Sequence, residues 1–307
     1  MNHTEKQGRK RNNKTKKMKR MNCHPRLKLQ KVVRNSCMTK EVLEELKKSY
    51  NENHKEDPIV SLEPKYIWKE LRKKLSECPK EDCWLETIKD EKVRKELKKT
   101  IFAPNHPNEW KEKPSTWLTN HDILKVLKQY EETYNNFQFI GPTPIDFDSR
   151  PKEYNNECVW KELCGFNLEK YIKKGKTKIG VVFNLDKHNE PGSHWTSLFI
   201  DLEENIIFYL DSAGDKIPDE VYKLVVRVIE QGLELPEPKH IKYYENHPFV
   251  HQRGNNECGM YALYFIITMI TKNKKLKTIQ EKIDYFKSKR ISDTFIFKHR
   301  KQYFNSG

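Results

Sequence analysis

One apolar run near the C-terminal end most constrains how this chain can fold. The residues from Met260 to Ile270 are predominantly apolar, and segment 254–257 before them, Gly-Asn-Asn-Glu, has the composition of a turn and helix cap. This pattern predicts a buried helix. Cys258 then lies in its first turn, where unpaired N–H groups and the helix dipole favour a thiolate over a thiol.

Two strand-like segments upstream carry a histidine and an acid. His194 opens the stretch 194–202, and the stretch 205–210, after a short polar turn, delivers Asp211 at its end. Adjacent strands would bring the two side chains within reach, so that the carboxylate can hold the imidazole in one tautomer. Gln252 lies six residues before Cys258. The order histidine, acid, glutamine, cysteine supplies each role that a thiol protease needs.

Each of these residues also has a purely structural interpretation. A cysteine at the head of an apolar helix is more often a core residue, and an aspartate after a strand is commonly a turn residue. Their joint occurrence, in this order and on matching elements, favours an active site. His251 is a poor alternative base because it shares the loop with Cys258. Asp201 is a poor alternative acid because it lies about 23 Å along the strand from His194.

The motif resembles that of the ubiquitin-like-protein (SUMO) proteases and the adenovirus protease, with the order His-Trp, Asp or Asn, Gln, Cys-Gly. The matching positions are His194, Trp195, Asp211, Gln252, Cys258 and Gly259. The resemblance implies that Cys258 is the nucleophile, with His194 as its base and Asp211 orienting the base. It further implies an oxyanion donor at Gln252 and substrate-binding residues at Trp195 and Gly259.

A narrower resemblance covers more of the chain, roughly residues 36 to 270. Five segments are similar to the processing proteases of large cytoplasmic DNA viruses, the African swine fever virus type among them: 36–43, 83–85, 117–118, 139–147 and 180–185. This implies a protease that cuts viral structural polyproteins during virion maturation, after Gly-Gly-type sites, in the virion and the host cytoplasm. The third catalytic residue is Asn in some of those enzymes, whereas Asp211 stands here.

Two other functions remain open from the sequence. A deconjugating protease for a SUMO-like modifier would use the same site, because such modifiers end in Gly-Gly. The segment 36–100 does not look like the substrate platform of the cellular deconjugases, which favours the viral interpretation. A non-catalytic module that binds virion components or nucleic acid is the third alternative, and the complete set of four catalytic roles argues against it.

The net charge of +15 is concentrated at the N-terminus. Residues 1–34 contain thirteen Lys and Arg against the single acid Glu5, a net of +12, which leaves +3 for the rest. This composition predicts a disordered basic tail that could contact nucleic acid, act as a nuclear-localisation-like patch or only increase solubility. No stretch reaches the roughly 18 apolar residues of a membrane span, so we expect a soluble, non-secreted protein.

The seven cysteines are an odd number, scattered along the chain. Reduced thiols in a cytosolic or virion setting fit this count better than a secreted disulfide framework. A structural zinc site at Cys78 and Cys83, with Cys158, Cys164 or His24 as partners, is the competing interpretation. Its spacings are loose and no CxxC occurs, so we predict neither a metal nor a cofactor.

Apolar periodicity divides the chain into helical and strand-rich parts. Helices are predicted over 39–49, 65–75, 81–100, 121–130, 156–173, 218–232 and 279–289. Strands are predicted over 137–140, 178–185, 194–202, 205–211 and 241–244. Helices before and after a compact run of strands indicate an α+β fold. With the resemblance, we expect a papain-like, SUMO-protease-like core whose mixed sheet is packed by helices, plus an N-terminal helical accessory region. The predicted divisions are a tail (1–34), an accessory arm (35–115) and a catalytic domain (116–307).

Overall fold

The computed structural model describes residues 18–306 and divides them into two compact units. Unit 1 ends at Phe102 and unit 2 begins at Ala103, rather than at the predicted boundary between 115 and 116. Residues 103–115, which we predicted to belong to the accessory arm, are part of unit 2. They contain a 3-10 helix, Asn108–Lys111, whose Trp110 is buried. Among residues 18–306, no helix combines the length and apolar character that a membrane crossing needs.

The predicted basic tail is only partly described. Residues 1–17 lie outside the described residues. Residues 18–34, which we predicted to be disordered, instead belong to unit 1. They contain a 3-10 helix, Pro25–Leu29, and they bury Met21 and Leu27 in the core of that unit. These apolar side chains explain why the basic composition does not keep this part of the chain unfolded.

Unit 1 is helical. Its helices are α1 (Lys40–Asn53), α2 (Pro64–Lys74) and α3 (Glu91–Ile101), with a further 3-10 helix at Glu81–Thr87. The single helix predicted over 81–100 is broken because Asp90 caps α3 through the N–H groups of Lys92 and Val93.

The core of unit 1 includes one buried acid. Glu81 accepts hydrogen bonds from the Cys37 N–H at 2.9 Å and from the Trp68 indole at 2.7 Å, so its carboxylate links distant segments of the unit. The fully buried Trp84 and Leu85 follow it within the 3-10 helix and fill the centre of the unit.

Six of the seven cysteines are paired, contrary to the predicted reduced thiols. The pairs are Cys23–Cys37, Cys78–Cys83 and Cys158–Cys164. Sequence spacing did not indicate these pairs, because each depends on how turns and helices bring the two cysteines together. No group of three or more metal-ligating side chains is found between residues 18 and 306.

Unit 2 is built on a five-stranded mixed sheet. Its strands are β1 (Phe137–Pro144), β2 (Lys178–Asn184), β3 (Trp195–Asp201), β4 (Ile206–Leu210) and β5 (Lys242–Glu245), in the spatial order β1-β2-β3-β4-β5. The three central strands pair antiparallel, whereas β1 and β5 pair parallel to their neighbours. The predicted α+β fold with a mixed sheet packed by helices is confirmed.

Helices cover both faces of this sheet. They are α4 (Asn120–Thr133), α5 (Lys161–Cys164), α6 (Leu168–Lys173), α7 (Asp219–Leu233), α8 (Cys258–Ile270), α9 (Ile279–Ser288) and α10 (Asp293–Tyr303). One face packs against α4, α8, α9 and α10, and the other against α6 and α7. Because both faces are covered, every residue of β3 and β4 is buried and neither strand shows polar alternation.

Helix α8 is buried along its whole length, as its apolar sequence predicts. The predicted helix over 156–173 is instead two short helices, α5 and α6. Gly165 ends the first, and the side chain of Asn167 caps the second by accepting from the Lys170 N–H. Helix α10 was not predicted, because its buried face includes the polar residues His299 and Arg300.

Candidate active site

The N-terminus of α8 presents the only free cysteine among residues 18–306. Cys258 is the first residue of the helix and is 2% exposed, in agreement with the predicted position. The backbone N–H groups of this first turn have no partners within the helix, and the helix dipole adds positive potential there. Cys258 therefore lies at the end of α8 where the helix presents free backbone donors and positive potential.

His194 and Asp211 meet because of the register between β3 and β4. Ser197 pairs with Leu210, so the residue before β3 and the residue after β4 lie at the same end of the sheet. The His194 Nε2 atom lies 2.7 Å from Asp211 Oδ1. The histidine and the acid therefore approach each other as the sequence predicted.

The acid is fixed from several directions. Asp211 Oδ1 also accepts from the Ala213 N–H at 2.8 Å, and the backbone of Asp211 exchanges two hydrogen bonds with the Asn246 side chain. Its second oxygen, Oδ2, is buried with no hydrogen-bond partner among residues 18–306. A buried carboxylate with one unsatisfied oxygen favours a nearby cation, and a protonated His194 is the group placed to supply it.

The electrostatics of His194 favour the charged imidazolium. Burial lowers the pKa of His194, but hydrogen bonds and charge interactions with Asp211 and Cys258 outweigh it and raise the pKa to about 10. Since Nε2 faces the acid, Nδ1 is the ring nitrogen left for the thiol. The arrangement can therefore hold His194 as an imidazolium at neutral pH.

Gln252 lies in the loop before α8, and two hydrogen bonds hold its side-chain amide in one orientation. Its Oε1 accepts from the Ser212 hydroxyl at 2.8 Å, and its Nε2 donates to the Gly254 carbonyl at 2.6 Å. The second N–H of the amide has no partner in the part of the chain that the structure describes. It is available to a substrate oxygen, the task expected of an oxyanion donor.

Trp195 and Gly259 come together at a third residue, Leu118. The Trp195 indole N–H donates to the Leu118 carbonyl at 3.1 Å. A Cβ atom added to Gly259 would lie 3.1 Å from Leu118 Cβ and 3.2 Å from Trp195 Cδ1, closer than ordinary packing allows. A side chain at 259 would therefore require Leu118 or Trp195 to move by a few tenths of an ångström.

A groove of about 650 Å³ adjoins these residues. Its walls include Trp117, Leu118, Tyr154, Trp160, His188 and Trp195. His188 donates from its backbone to Asp146 Oδ1 at 2.9 Å and contacts Asp146 Oδ2 through its ring at 2.6 Å. This pair fixes the loop that leads to His194.

The two alternative residues have structural roles. His251 is buried, contacts the Phe286 carbonyl through Nε2 and accepts from the Ile291 N–H, and burial lowers its pKa. Asp201 forms an ion pair with Lys178 at 2.6 Å. Sequence reasoning missed Ser212 and Asn246, which orient the glutamine and the acid. Only the position of Ser212, next to Asp211, could have suggested its role.

Two family profiles match this chain. The profile described as the vaccinia virus I7 processing peptidase matches residues 17–226, more than half of the chain. The profile of the C-terminal catalytic domain of the Ulp1 protease family matches residues 174–295. The chain belongs to the I7 processing peptidase family. The Ulp1-type match covers the segment that contains all six predicted site residues.

Individual relatives agree with this assignment. A protein of Acanthamoeba polyphaga mimivirus, assigned as a thiol protease, is 32% identical over 181 residues, which are 57% of this chain and 55% of that protein. The chain thus spans only about half of that relative. A cysteine protease of African swine fever virus is 28% identical over 218 residues, 69% of this chain and 74% of that protein.

The fold agrees as well. The crystal structure of the African swine fever virus pS273R protease aligns with a TM-score of 0.62 at 22% identity, over 94% of this chain and 97% of that one. The predicted resemblance, the SUMO-protease-like fold and the class of cysteine protease are confirmed by these matches. These matches place the chain among relatives that are named as thiol and cysteine proteases.

Proposed function

We propose that this protein is a cysteine endopeptidase that cleaves viral structural polyproteins during virion maturation. The observation that carries the proposal is the hydrogen bond of His194 to the buried Asp211, with Cys258 at the start of α8 among the groups that raise the pKa of His194. Membership in a family described as processing peptidases supports polyprotein cleavage over other thiol chemistry.

In the proposed mechanism, Cys258 attacks the scissile carbonyl as a thiolate. The carbonyl oxygen becomes an oxyanion, which accepts from the Cys258 backbone N–H and from the Gln252 side chain. The imidazolium of His194 gives its proton to the leaving amine as the C–N bond breaks, which leaves a thioester on Cys258. His194 then takes a proton from water, whose oxygen attacks the thioester and releases the acid and the thiol.

Asp211 stabilises the imidazolium through both steps. Its carboxylate fixes the ring orientation so that one nitrogen faces the acid and the other faces the thiol. The pKa of His194, raised to about 10, keeps the proton on the base until the leaving group needs it.

Cleavage after Gly-Gly-type sites fits the walls near Cys258. The contacts among Trp195, Leu118 and Gly259 leave little room for side chains next to the nucleophile. A substrate backbone without side chains would pass there, whereas bulkier residues would clash with the indole. We therefore expect glycine at the residues before the cut.

Partners and location follow from the same proposal. The substrate would be a viral structural polyprotein, and the enzyme would act in the virion and the host cytoplasm. The basic composition of residues 1–34 supports contact with nucleic acid. Within this segment, residues 1–17 lie outside the described residues. Such contact would concentrate the protease near a packaged genome.

A deconjugating activity on a SUMO-like modifier is the second candidate. The match of residues 174–295 to the Ulp1 catalytic domain favours it, because the same site geometry accepts a Gly-Gly tail. A non-catalytic binding module is the third, and it would leave the alignment of Cys258 with His194 and Asp211 without a purpose.

The test compares the purified chain with its Cys258→Ala variant on Gly-Gly-X peptides and on modifier conjugates. We expect cysteine-dependent cleavage of peptides. Cleavage of conjugates alone would instead assign a deconjugase. If neither substrate is cut and iodoacetamide does not modify Cys258 in the folded protein, the catalytic proposal is wrong and the binding module becomes the better account.

A further inference from the structure

Arg300 of α10 is buried, with 3% exposure, and its guanidinium uses all of its donors. Nε and Nη2 donate to the two oxygens of Glu257 at 3.0 and 2.9 Å, and Nη2 also donates to the Asn256 carbonyl at 3.1 Å. Nη1 donates to the carbonyls of Pro114 at 2.9 Å and Thr116 at 2.8 Å. Five N–H groups therefore meet five acceptors.

These acceptors belong to two segments that border the candidate site. Asn256 and Glu257 immediately precede Cys258, and Pro114 and Thr116 immediately precede the groove wall at 117–118. A direct bond also joins the segments, since the Trp117 indole donates to Asn256 Oδ1 at 3.1 Å. One side chain thus fixes the nucleophile's loop against the wall of the groove.

Only arginine can make this set of bonds. Its planar guanidinium spreads five donors over three nitrogens, whereas lysine has one nitrogen with three donors. The Trp110 ring lies 4.2 Å from the Arg300 guanidinium carbon and covers its face. The planar group is therefore both stacked and bonded along its edges, which leaves it a single orientation.

The other end of α10 holds the same loop at a second place. The Asp293 carboxylate accepts from the N–H groups of Arg253 at 3.1 Å and Gly254 at 3.3 Å, and from the Tyr261 hydroxyl at 2.9 Å. Together with Arg300, it attaches α10 to both ends of the segment 253–257. That segment directly follows Gln252.

We propose that Arg300 is a positioning residue for Cys258, which sets the distance and angle between the nucleophile and the groove wall at 117–118. Arg300 is buried behind the loop and bonds to none of the reacting groups, so it acts through Glu257 and Asn256. The inference rests on the proposed role of Cys258 as the nucleophile. A misplacement of about 1 Å at a reacting atom can cost about 10²-fold in rate.

The test uses variants that separate positioning from stability. Arg300→Met alone leaves the buried Glu257 carboxylate unpaired and is expected to destabilise the protein. The double variant Arg300→Met with Glu257→Gln removes that charge, and Arg300→Lys keeps a charge without the planar donors. The matched control is His299→Gln, the adjacent buried residue of α10, whose Nδ1 contacts the Phe295 carbonyl and whose ring packs against Tyr264 in the middle of α8, away from the segment 253–257.

Each protein is assayed for Tm and for kcat and KM per active site, with sites counted by alkylation of Cys258. We expect kcat/KM per site to fall by about 10-fold to 10²-fold in all three Arg300 variants, with kcat lowered and KM raised. The double variant should regain much of the Tm of the wild type without regaining kcat/KM. The control should lower Tm and leave kcat/KM per site unchanged.

An unchanged kcat/KM per site in the folded double variant would overturn the inference. If the wild type cuts no substrate, the proposed function fails separately, and the rate of Cys258 alkylation by iodoacetamide then tests the positioning role. That rate should fall by about 10-fold in the double variant, because the thiol would move relative to His194. An equal alkylation rate in the variant and the wild type would also overturn the inference.

Discussion

Unit 1 packs short helices around one apolar core and carries two of the three disulfides, whereas unit 2 encloses a sheet between two apolar layers. All six candidate site residues lie in unit 2, between 194 and 259. Catalytic geometry requires side chains held to within fractions of an ångström. Strand ends of a sheet buried on both faces supply such positions, whereas unit 1 contributes no residue of the proposed catalytic set.

The buried acids of the two units also differ in what they contact. In unit 1, Glu81 links backbone and indole donors far apart in sequence. In unit 2, Asp211 lies in contact with His194, and Glu257 lies next to Cys258 and pairs with Arg300. Buried acids are costly unless they are paired. Unit 2 places one of them against His194 and the other next to Cys258 in the sequence.

The largest expected effect tests the acid of unit 2. Asp211→Asn keeps the shape but removes the charge that, with Cys258, raises the pKa of His194 to about 10 against the lowering effect of burial. We expect kcat/KM to fall by about 10²-fold to 10⁴-fold. The alkaline limb of the pH profile should move to lower pH, because the imidazolium loses its proton sooner.

A pH profile of kcat/KM through the alkaline range measures this shift. The raised pKa of His194 also predicts a pH-dependent contribution to the free energy of unfolding. This contribution is lost as pH rises, whereas that of an aspartate or glutamate with a lowered pKa is lost as pH falls. Because the pKa of His194 in the folded state lies above the ordinary histidine value of 6.5, it stabilises the folded state below pH 6.5, and this contribution is lost as pH rises through about 10. An alkaline limb that stays in place in Asp211→Asn would remove Asp211 from the mechanism.

A smaller effect is expected at the oxyanion donor. Gln252→Ala should lower kcat by about 10²-fold to 10³-fold, because the free N–H of its amide is lost. Gln252→Glu, which has the same shape but no amide donor at neutral pH, should behave alike. The control is Gln231→Ala in α7, whose amide bonds only the backbone of Leu168 and Phe166. Equal kcat in Gln252→Ala and wild type would contradict the assignment.

Sequence reasoning succeeded where contiguous residues carry the signal. Helix α8 and strands β3 and β4 are buried on all sides, so their apolar runs gave their positions directly. The motif of His194, Asp211 and Cys258 then placed the site at their ends. These features need no knowledge of distant contacts.

The errors occurred where tertiary contacts or local caps decide the structure. Asp90 and Gly165 interrupt two predicted helices, because capping of a few backbone groups outweighs a long periodic pattern. Asn246 bonds to Asp211, which is 35 residues away in the sequence, and Arg300 bonds to Glu257, which is 43 residues away. Nothing in the sequence near either residue indicates which backbone groups it will meet.

A third prediction asks whether the site depends on unit 1. Trp84 is fully buried and its ring centroid lies 5.8 Å from that of Trp68, so Trp84→Ala should destabilise unit 1 by about 3–5 kcal/mol. Hydrogen exchange of the α1 and α2 amides measures this loss. Because the site residues lie in unit 2, kcat/KM per alkylated Cys258 should be unchanged.

The control for Trp84→Ala is Tyr66→Ala, an aromatic residue of α2 that is 52% exposed and should have little effect on exchange. A parallel fall of kcat/KM and of unit 1 stability in Trp84→Ala would show that the proteolytic activity requires both units. The comparison drawn above would then fail.

The smallest effect concerns the disulfides. The Cys23–Cys37 bridge of unit 1 joins residues 14 apart, and Cys158–Cys164 of unit 2 joins residues 6 apart. Replacing both cysteines of a bridge by serine should cost about 3 kcal/mol for the first and about 2 kcal/mol for the second, because a longer loop gains more entropy on release. Denaturant midpoints of the two double variants, each compared with the wild type, measure the costs. Midpoints that match the wild type in both variants would mean that these cysteines are reduced in solution, as their odd number predicted. In that case the contrast between the two units would rest on their core packing alone.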